Sequence, residues 1–175
     1  VRTLESDLTP TGWSATFSGN YVGPAAIDDL DGDGVPDFVV ISSNQMRAYR
    51  WDGSQLWSAT VQDRSGAAGA ILFDFEMDGY PEVVFSDEVA VRIFNGLDGS
   101  IKLESFEHAS PTGFETPAVA DVDNDGEVEI VMLHATYTQG ITVFGDADNS
   151  WPPGRQVWNQ HAYSITNITD DLSVP

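Results

Sequence analysis

Asp29-Leu30-Asp31-Gly32-Asp33-Gly34-Val35-Pro36-Asp37 is the stretch on which the fold turns. It sets carboxylates at positions 1, 3, 5 and 9 of a nine-residue segment, with Gly at position 6. The same spacing returns in Asp74-Phe75-Glu76-Met77-Asp78-Gly79-Tyr80-Pro81-Glu82 and in Asp121-Val122-Asp123-Asn124-Asp125-Gly126-Glu127-Val128-Glu129. The first positions stand 45 and 47 residues apart. A period of this size marks a repeat architecture, in which each unit buries its apolar face against the next.

The flanks repeat with the loops. A short apolar strand precedes each: Ala25-Ala26-Ile27, Ala70-Ile71-Leu72-Phe73 and Pro117-Ala118-Val119-Ala120. A β-branched or aromatic run follows: Phe38-Val39-Val40-Ile41, Val83-Val84-Phe85 and Ile130-Val131-Met132-Leu133. A third, alternating strand is read at Met46–Tyr49, Val91–Phe94 and Ile141–Phe144, and a turn rich in Asp and Gly closes it. A fourth is read at Gln55–Val61, Ile101–Phe106 and Gln156–Asn159. Period-2 patterning and Gly/Asp turns make these strands, and no helical stripe competes. Four strands in roughly 45 residues matches one blade of a β-propeller. The expected fold class is therefore all-β, with about three four-stranded blades plus a stray N-terminal strand.

That stray strand is Trp13-Ser14-Ala15-Thr16-Phe17, which echoes Trp57-Ser58-Ala59-Thr60-Val61 44 residues later. It reads as the outer strand of a preceding blade. Within a single repeat domain the expected units are residues 1–24 (outer strand), 25–68 (blade 1), 69–116 (blade 2) and 117–175 (blade 3 with a C-terminal extension). An insertion from Asn149 to Gly154, containing Trp151-Pro152-Pro153, lengthens the third blade.

Composition narrows the function. The 175 residues carry 28 Asp and Glu against 7 Lys and Arg, a formal net charge of −21. Hydrophobic residues at 41% and aromatics at 11% supply a core, which sets the chain apart from a disordered acidic tail. The charge argues against nucleic acid and anionic membranes as partners and favours cations. No cysteine is present, so disulfides and Cys-based zinc sites are excluded. No apolar run approaches the roughly 20 residues of a membrane-spanning helix. The N-terminus, Val1 to Glu5, does not read as a signal peptide. An extracellular or cell-surface, secreted cation-binding protein is the expectation.

Hard oxygens at alternate positions of a tight loop suit calcium, which takes 6–8 oxygen ligands at about 2.3–2.6 Å in flexible geometry. Gly at position 6 permits a sharp turn. Position 7 can supply a backbone carbonyl (Val35, Tyr80 or Glu127), and the carboxylate at position 9 closes the site. An EF-hand closes at position 12 on an exiting helix; here a strand follows, so the site is strand–loop–strand. Magnesium is the lesser option because it demands octahedral geometry, and acidic turns without metal are the bland alternative. The second loop is the least regular: Glu76 is longer than Asp, and Met77 is apolar.

The pattern D-x-D-x-D-G-x-x-D/E between an apolar and a Val/Ile-rich strand resembles FG-GAP/VCBS-type repeats, the calcium-loop blades of integrin-α-like propellers and of secreted bacterial proteins. The resemblance spans residues 25 to about 150. It implies calcium ligation by side chains at positions 1, 3, 5 and 9 and by the carbonyl at position 7. Carried over, the sites are Asp29, Asp31, Asp33, Val35 and Asp37; Asp74, Glu76, Asp78, Tyr80 and Glu82; and Asp121, Asp123, Asp125, Glu127 and Glu129, for up to three calcium ions. The tail from Trp151 to Tyr163 also resembles a C-terminal segment of bacterial extracellular repeat proteins.

Other features weigh less. Asn159, His161 and Tyr163 share one face of a strand, with Trp158 and Gln160 on the other, and could bind a glycan; packing of Trp158 between blades is the plainer reading. His108, His134 and His161 lack metal-site spacing. A hydrolase would need a carboxylate pair, but the loops absorb nearly every clustered acid, and no G-x-S-x-G is present, so no catalytic residue is assigned. Asn167-Ile168-Thr169 is a glycosylation sequon. The function expected is structural or cell-adhesive, through protein contacts, with a carbohydrate-binding module as the alternative. Known propellers use roughly four to eight blades. Three blades therefore call for completion by other copies of the chain, in a ring or a filament, or by other parts of a longer chain.

Overall fold

The computed structural model describes residues 2–4, 7, 9–17, 21–107, 116–134, 140–157, 169 and 173. Among them every regular element is a strand. Blade 1 is β3 (Ala26–Asp28), β4 (Asp37–Ser42), β5 (Gln45–Tyr49) and β6 (Gln55–Thr60), in that order and antiparallel. Blade 2 repeats it with β7 (Ile71–Phe73), β8 (Glu82–Ser86), β9 (Val91–Phe94) and β10 (Ile101–Ser105). Blade 3 contains β11 (Ala118–Ala120), β12 (Glu129–His134) and β13 (Gly140–Phe144). The all-β, propeller-type reading therefore holds, and short antiparallel hairpins generate it.

Two details differ from the sequence reading. The N-terminal strand is β2 (Pro10–Ser14), paired with β1 (Arg2–Leu4) in a two-stranded sheet, and Ala15 to Phe17 lie outside any strand. One of its edges is thus paired locally. In blade 3, Gln156 and Val157 are irregular, and Trp158 and Asn159 lie outside the described residues. The chain there runs beside the third acidic loop: the Pro152 carbonyl accepts from Val128 N–H at 3.2 Å and the Arg155 carbonyl from Asp121 N–H at 3.1 Å.

Because successive side chains point to opposite faces, each blade has two apolar faces. Val39, Ile41, Met46 and Ala48 of blade 1 pack against Val83, Phe85 and Phe94 of blade 2. The other face of blade 2, with Val84, Val91 and Ile93, packs against Val119, Ile130 and Met132 of blade 3. The outer face of blade 1, Phe38, Val40 and Tyr49, is covered by Trp13 and Phe17. Trp13 lies 5.4 Å from both Phe38 and Tyr49, ring to ring, so the N-terminal segment covers the face that the repeat pattern assigns to a preceding blade.

The Trp echo has a structural cause. Trp57 on β6 crosses to blade 2, where its Nε1–H donates to the Gly96 carbonyl at 2.6 Å. Its ring lies flat over Gly99, where φ is +72° and a Cβ would sit 2.6 Å from Trp57 Cε3. Only glycine satisfies both demands. A second tie is ionic: buried Asp87 receives Arg92, which also reaches Glu104, while the other contacts of Asp87 include the N–H of Gln62 in the linker between blades 1 and 2. Trp57→Ala is expected to cost about 3–5 kcal/mol, and Trp57→Phe about 1–2 kcal/mol for the lost buried hydrogen bond. Urea unfolding of both variants checks this; a Trp57→Ala protein as stable as the parent would show that the ring does not lock the blades.

Candidate metal centres

All three acidic loops join the first and second strands of a blade in one register. Residue pairs Asp28–Asp37, Phe73–Glu82 and Ala120–Glu129 close the hairpins at their base. The position-9 carboxylate is the first residue of the second strand, and it is buried in every blade. It caps the backbone at position 2: Asp37 accepts from Leu30 N–H at 3.1 Å, Glu82 from Phe75 N–H at 3.0 Å and Glu129 from Val122 N–H at 2.9 Å.

The position-1 carboxylate folds the loop around itself. Asp29 accepts from the N–H groups of Gly32, Asp33 and Gly34, and Asp74 from those of Asp78 and Gly79. Asp121 accepts from Asn124 N–H at 2.7 Å. This wrapping needs left-handed backbone at two positions. Position 6 is Gly34, Gly79 or Gly126, with φ of +83°, +88° and +99°; position 4 is Gly32, Met77 or Asn124, with φ of +75°, +53° and +65°. The sequence reading identified only the first requirement. Asn tolerates this region and Met does not, so Met77 is the strained member of the set.

The carboxylates converge in two loops. One oxygen each from Asp29, Asp31 and Asp33 lie within 4.8 Å of one another, as do oxygens from Asp121, Asp123 and Glu129. Asp31 Oδ1 is buried without a hydrogen-bond partner, as are Asp63 Oδ2 and Thr116 Oγ1 away from the loops, and such an atom calls for a water or an ion. Hard oxygen donors so grouped fit a calcium-type ion. Asp37 stays behind the first group as the cap on Leu30, and Asp125 caps Glu127 N–H at 2.9 Å. In the second loop Asp74, Glu76, Asp78 and Glu82 form no such group among the described residues. The Tyr80 ring instead lies over Gly32 of the first loop, where a Cβ would meet its Cε1 at 2.6 Å.

Two basic residues that the sequence reading passed over enter the loops. Arg50, after β5, places Nη2 and Nε 2.7 and 2.8 Å from Asp31 Oδ2. Lys102 on β10 places Nζ 2.7 Å from Glu76 and 2.8 Å from Glu82. Burial would lower the Lys102 pKa, but the bonds to Glu76 and Glu82 outweigh it and raise it. The hydrogen bond to Asp31 likewise raises Arg50. Partial burial, then the charges of Asp125, Asp146, Glu129 and Asp123, push Glu127 up. The Trp158–Tyr163 segment, His108, His161, the His134 side chain, Asn167 and Ile168 lie outside the described residues.

The FG-GAP-like repeat family matches residues 29–85 and 74–132, more than half of the chain. No curated protein sequence matches it. Among solved structures, the biofilm matrix protein Bap1 of V. cholerae is similar with a TM-score of 0.74 and 27% identity over 80% of this chain. The chain spans only 24% of that protein's length. BamB from Moraxella catarrhalis aligns over 93% of this chain and 70% of its own at 12% identity, but a TM-score of 0.30 gives that likeness no weight.

Asp37 supplies a pH test. Burial, reinforced by the charges of Asp31, Asp33 and Asp29 against the opposing Leu30 hydrogen bond, raises its pKa from 3.8 to about 6. In metal-free protein this carboxyl's stabilising contribution is complete below 3.8 and lost as pH rises through about 6. Asp37→Asn keeps an acceptor for Leu30 but cannot ionise. In EDTA at about pH 7.5 it should exceed the parent in stability by up to ~3 kcal/mol, the advantage vanishing below about pH 4. Thermal melts across pH measure this, and equal stability at neutral pH would contradict the strained carboxylate.

Proposed function

This chain belongs to the FG-GAP-like repeat family, and we propose that it is a calcium-stabilised propeller-type module of an extracellular structural or adhesive protein. The observation that carries the proposal is the convergence of carboxylate oxygens in the first and third loops, with Asp31 Oδ1 buried and unsatisfied. In the first loop Asp29, Asp31, Asp33 and Asp37 with the Val35 carbonyl would hold the ion. In the third, Asp121, Asp123, Asp125 and Glu129 with the Glu127 carbonyl would do so. Calcium supplies charge neutralisation there, not chemistry. The clustered carboxylates are engaged by their own loop backbones, an arrangement that favours a scaffold over an enzyme. No helix among the described residues is long and apolar enough to cross a membrane. Likeness to a biofilm matrix protein supports an extracellular matrix or surface setting.

The proposed partner is another blade of the same repeat type, from a longer chain or a second copy. The position-2 side chain of each loop points toward the following blade: Leu30 is 0% and Phe75 5% exposed, but Val122 is 50% exposed. Beside it on the same face, Leu133, Ile141 and Val143 are 56%, 66% and 48% exposed. Their counterparts in blades 1 and 2, such as Met46, Ala48, Val91 and Ile93, are buried under the next blade. The same stacking, repeated once more, would cover this face.

Two measurements test these readings. Calcium binding only the folded state adds RT ln(1 + [L]/Kd), around 1 kcal/mol per site at millimolar calcium for sites of roughly 10⁻⁴–10⁻³ M. Melting should therefore rise from EDTA to calcium, with Asp33→Ala and Asp125→Ala each removing part of the gain; identical melts would defeat the metal reading. In sedimentation, the isolated chain in calcium should self-associate, and the Leu133→Lys, Ile141→Lys double variant should not. A compact parent monomer at all concentrations would rule out blade 3 as a docking face.

A further inference from the structure

The second loop departs from the other two in a way that the family pattern does not anticipate. Its four carboxylates match theirs in number and spacing, yet they do not converge. The reason is visible in the contacts. Lys102 Nζ stands 2.7 Å from Glu76 Oε1 and 2.8 Å from Glu82 Oε1, so one ammonium bridges the position-3 and position-9 acids. Glu82 is buried, with Oε2 accepting Phe75 N–H and Oε1 accepting Lys102, a positive charge that a metal ion, unlike a neighbour of neutral backbone N–H groups, would have to displace. A metal ion would need those same two carboxylates.

We propose that Lys102 is the resident cation of the second loop and that this loop takes no calcium ion. The alignment of blades explains why the first loop is not served so. Lys102 follows the Leu97-Asp98-Gly99-Ser100 turn at the place where Leu56 follows Trp51-Asp52-Gly53-Ser54 in blade 1, and an apolar side chain cannot enter an acidic loop. Blade 1 supplies Arg50 instead, which engages only Asp31 Oδ2 and leaves Asp31 Oδ1 and the carboxylates of Asp29 and Asp33 convergent. Blade 2 has Asn95 at that turn position, a short neutral residue whose N–H donates to the Ser100 carbonyl as Arg50 N–H does to Ser54, and whose side chain accepts Leu97 N–H. Glu76 in place of Asp adds the methylene that carries its carboxylate out to the ammonium. A compact ammonium with three donors suits two carboxylates that lie apart, where a divalent ion needs several oxygens drawn together. The loop thus keeps its fold with or without calcium.

The inference rests on the calcium reading of the other loops, and the test separates the two. Lys102 is the only lysine in the chain, so protein labelled with ¹⁵N-lysine shows a single side-chain ammonium signal. That signal is expected to be protected from exchange in EDTA and to keep its position through a calcium titration, while equilibrium dialysis with radioactive calcium finds two ions per chain, one for each converging group. Three bound ions, with the ammonium signal moving to that of a free lysine, would overturn the assignment of Lys102. No bound ions would defeat the calcium reading, and the EDTA spectrum would still decide the pairing, because an unprotected, free-lysine signal there refutes it. As a second readout, Lys102→Met should melt roughly 2–8 °C lower than the parent in EDTA, and Lys102→Arg should recover most of the loss. An unchanged Lys102→Met melt would also overturn the proposal.

Discussion

A buried carboxylate at the first residue of each blade's second strand joins the fold to the site. Asp37, Glu82 and Glu129 each accept the N–H of loop position 2, and in blades 1 and 2 the side chain at that position, Leu30 or Phe75, plugs the core shared with the next blade. One hydrogen bond therefore closes the loop and seats an inter-blade anchor. Its cost is a negative charge held out of water among other acids, which a protein tolerates only when a cation or a proton answers it. The first two loops meet this problem with different cations: a guanidinium on one carboxylate in the first and an ammonium across two in the second.

Stacking of two-faced sheets then propagates the constraint along the chain. A blade buried on both sides must be apolar on both sides, and alternation along β4, β8 and β12 sends neighbouring residues to opposite interfaces. Trp57 fastens one such interface by combining a large flat surface with a single polar atom that finds the Gly96 carbonyl. At the N-terminal end Trp13 and Phe17 close the stack. At the other end, among the described residues, Val122, Leu133, Ile141 and Val143 of blade 3 are exposed.

Most of this architecture was legible in the amino-acid sequence because it is written in local periods. The spacing of Asp29, Asp31, Asp33 and Asp37 places the loop, the period-2 runs around it place the strands, and the return of both after 45 and 47 residues places the blades. Gly34, Gly79 and Gly126 mark turns that few other residues could make. Even the echo of Trp13 in Trp57 pointed to a repeated contact, although the pairing of β2 with β1 did not show in it. These features are decided by residues within one hairpin of each other, where backbone geometry leaves little choice.

Which cation answers which acid lay beyond that reach. Arg50 meets Asp31 across 19 residues, and Lys102 meets Glu82 across 20, through sheet register and the path of the turns. A lone lysine in a fourth strand carries no mark of the carboxylates it will bridge, and Glu76 looks like a conservative change until the ammonium beside it is seen. Gln156 to Asn159 reads as a fourth strand, but Gln156 and Val157 are irregular, and the carbonyls of Pro152 and Arg155 just before them turn to the third loop. The sequence by itself determined the repeat, the strands and the acidic loops, because those follow from spacing along the chain; only the tertiary structure decided which loops can gather their oxygens around an ion, because that depends on charges brought together through space.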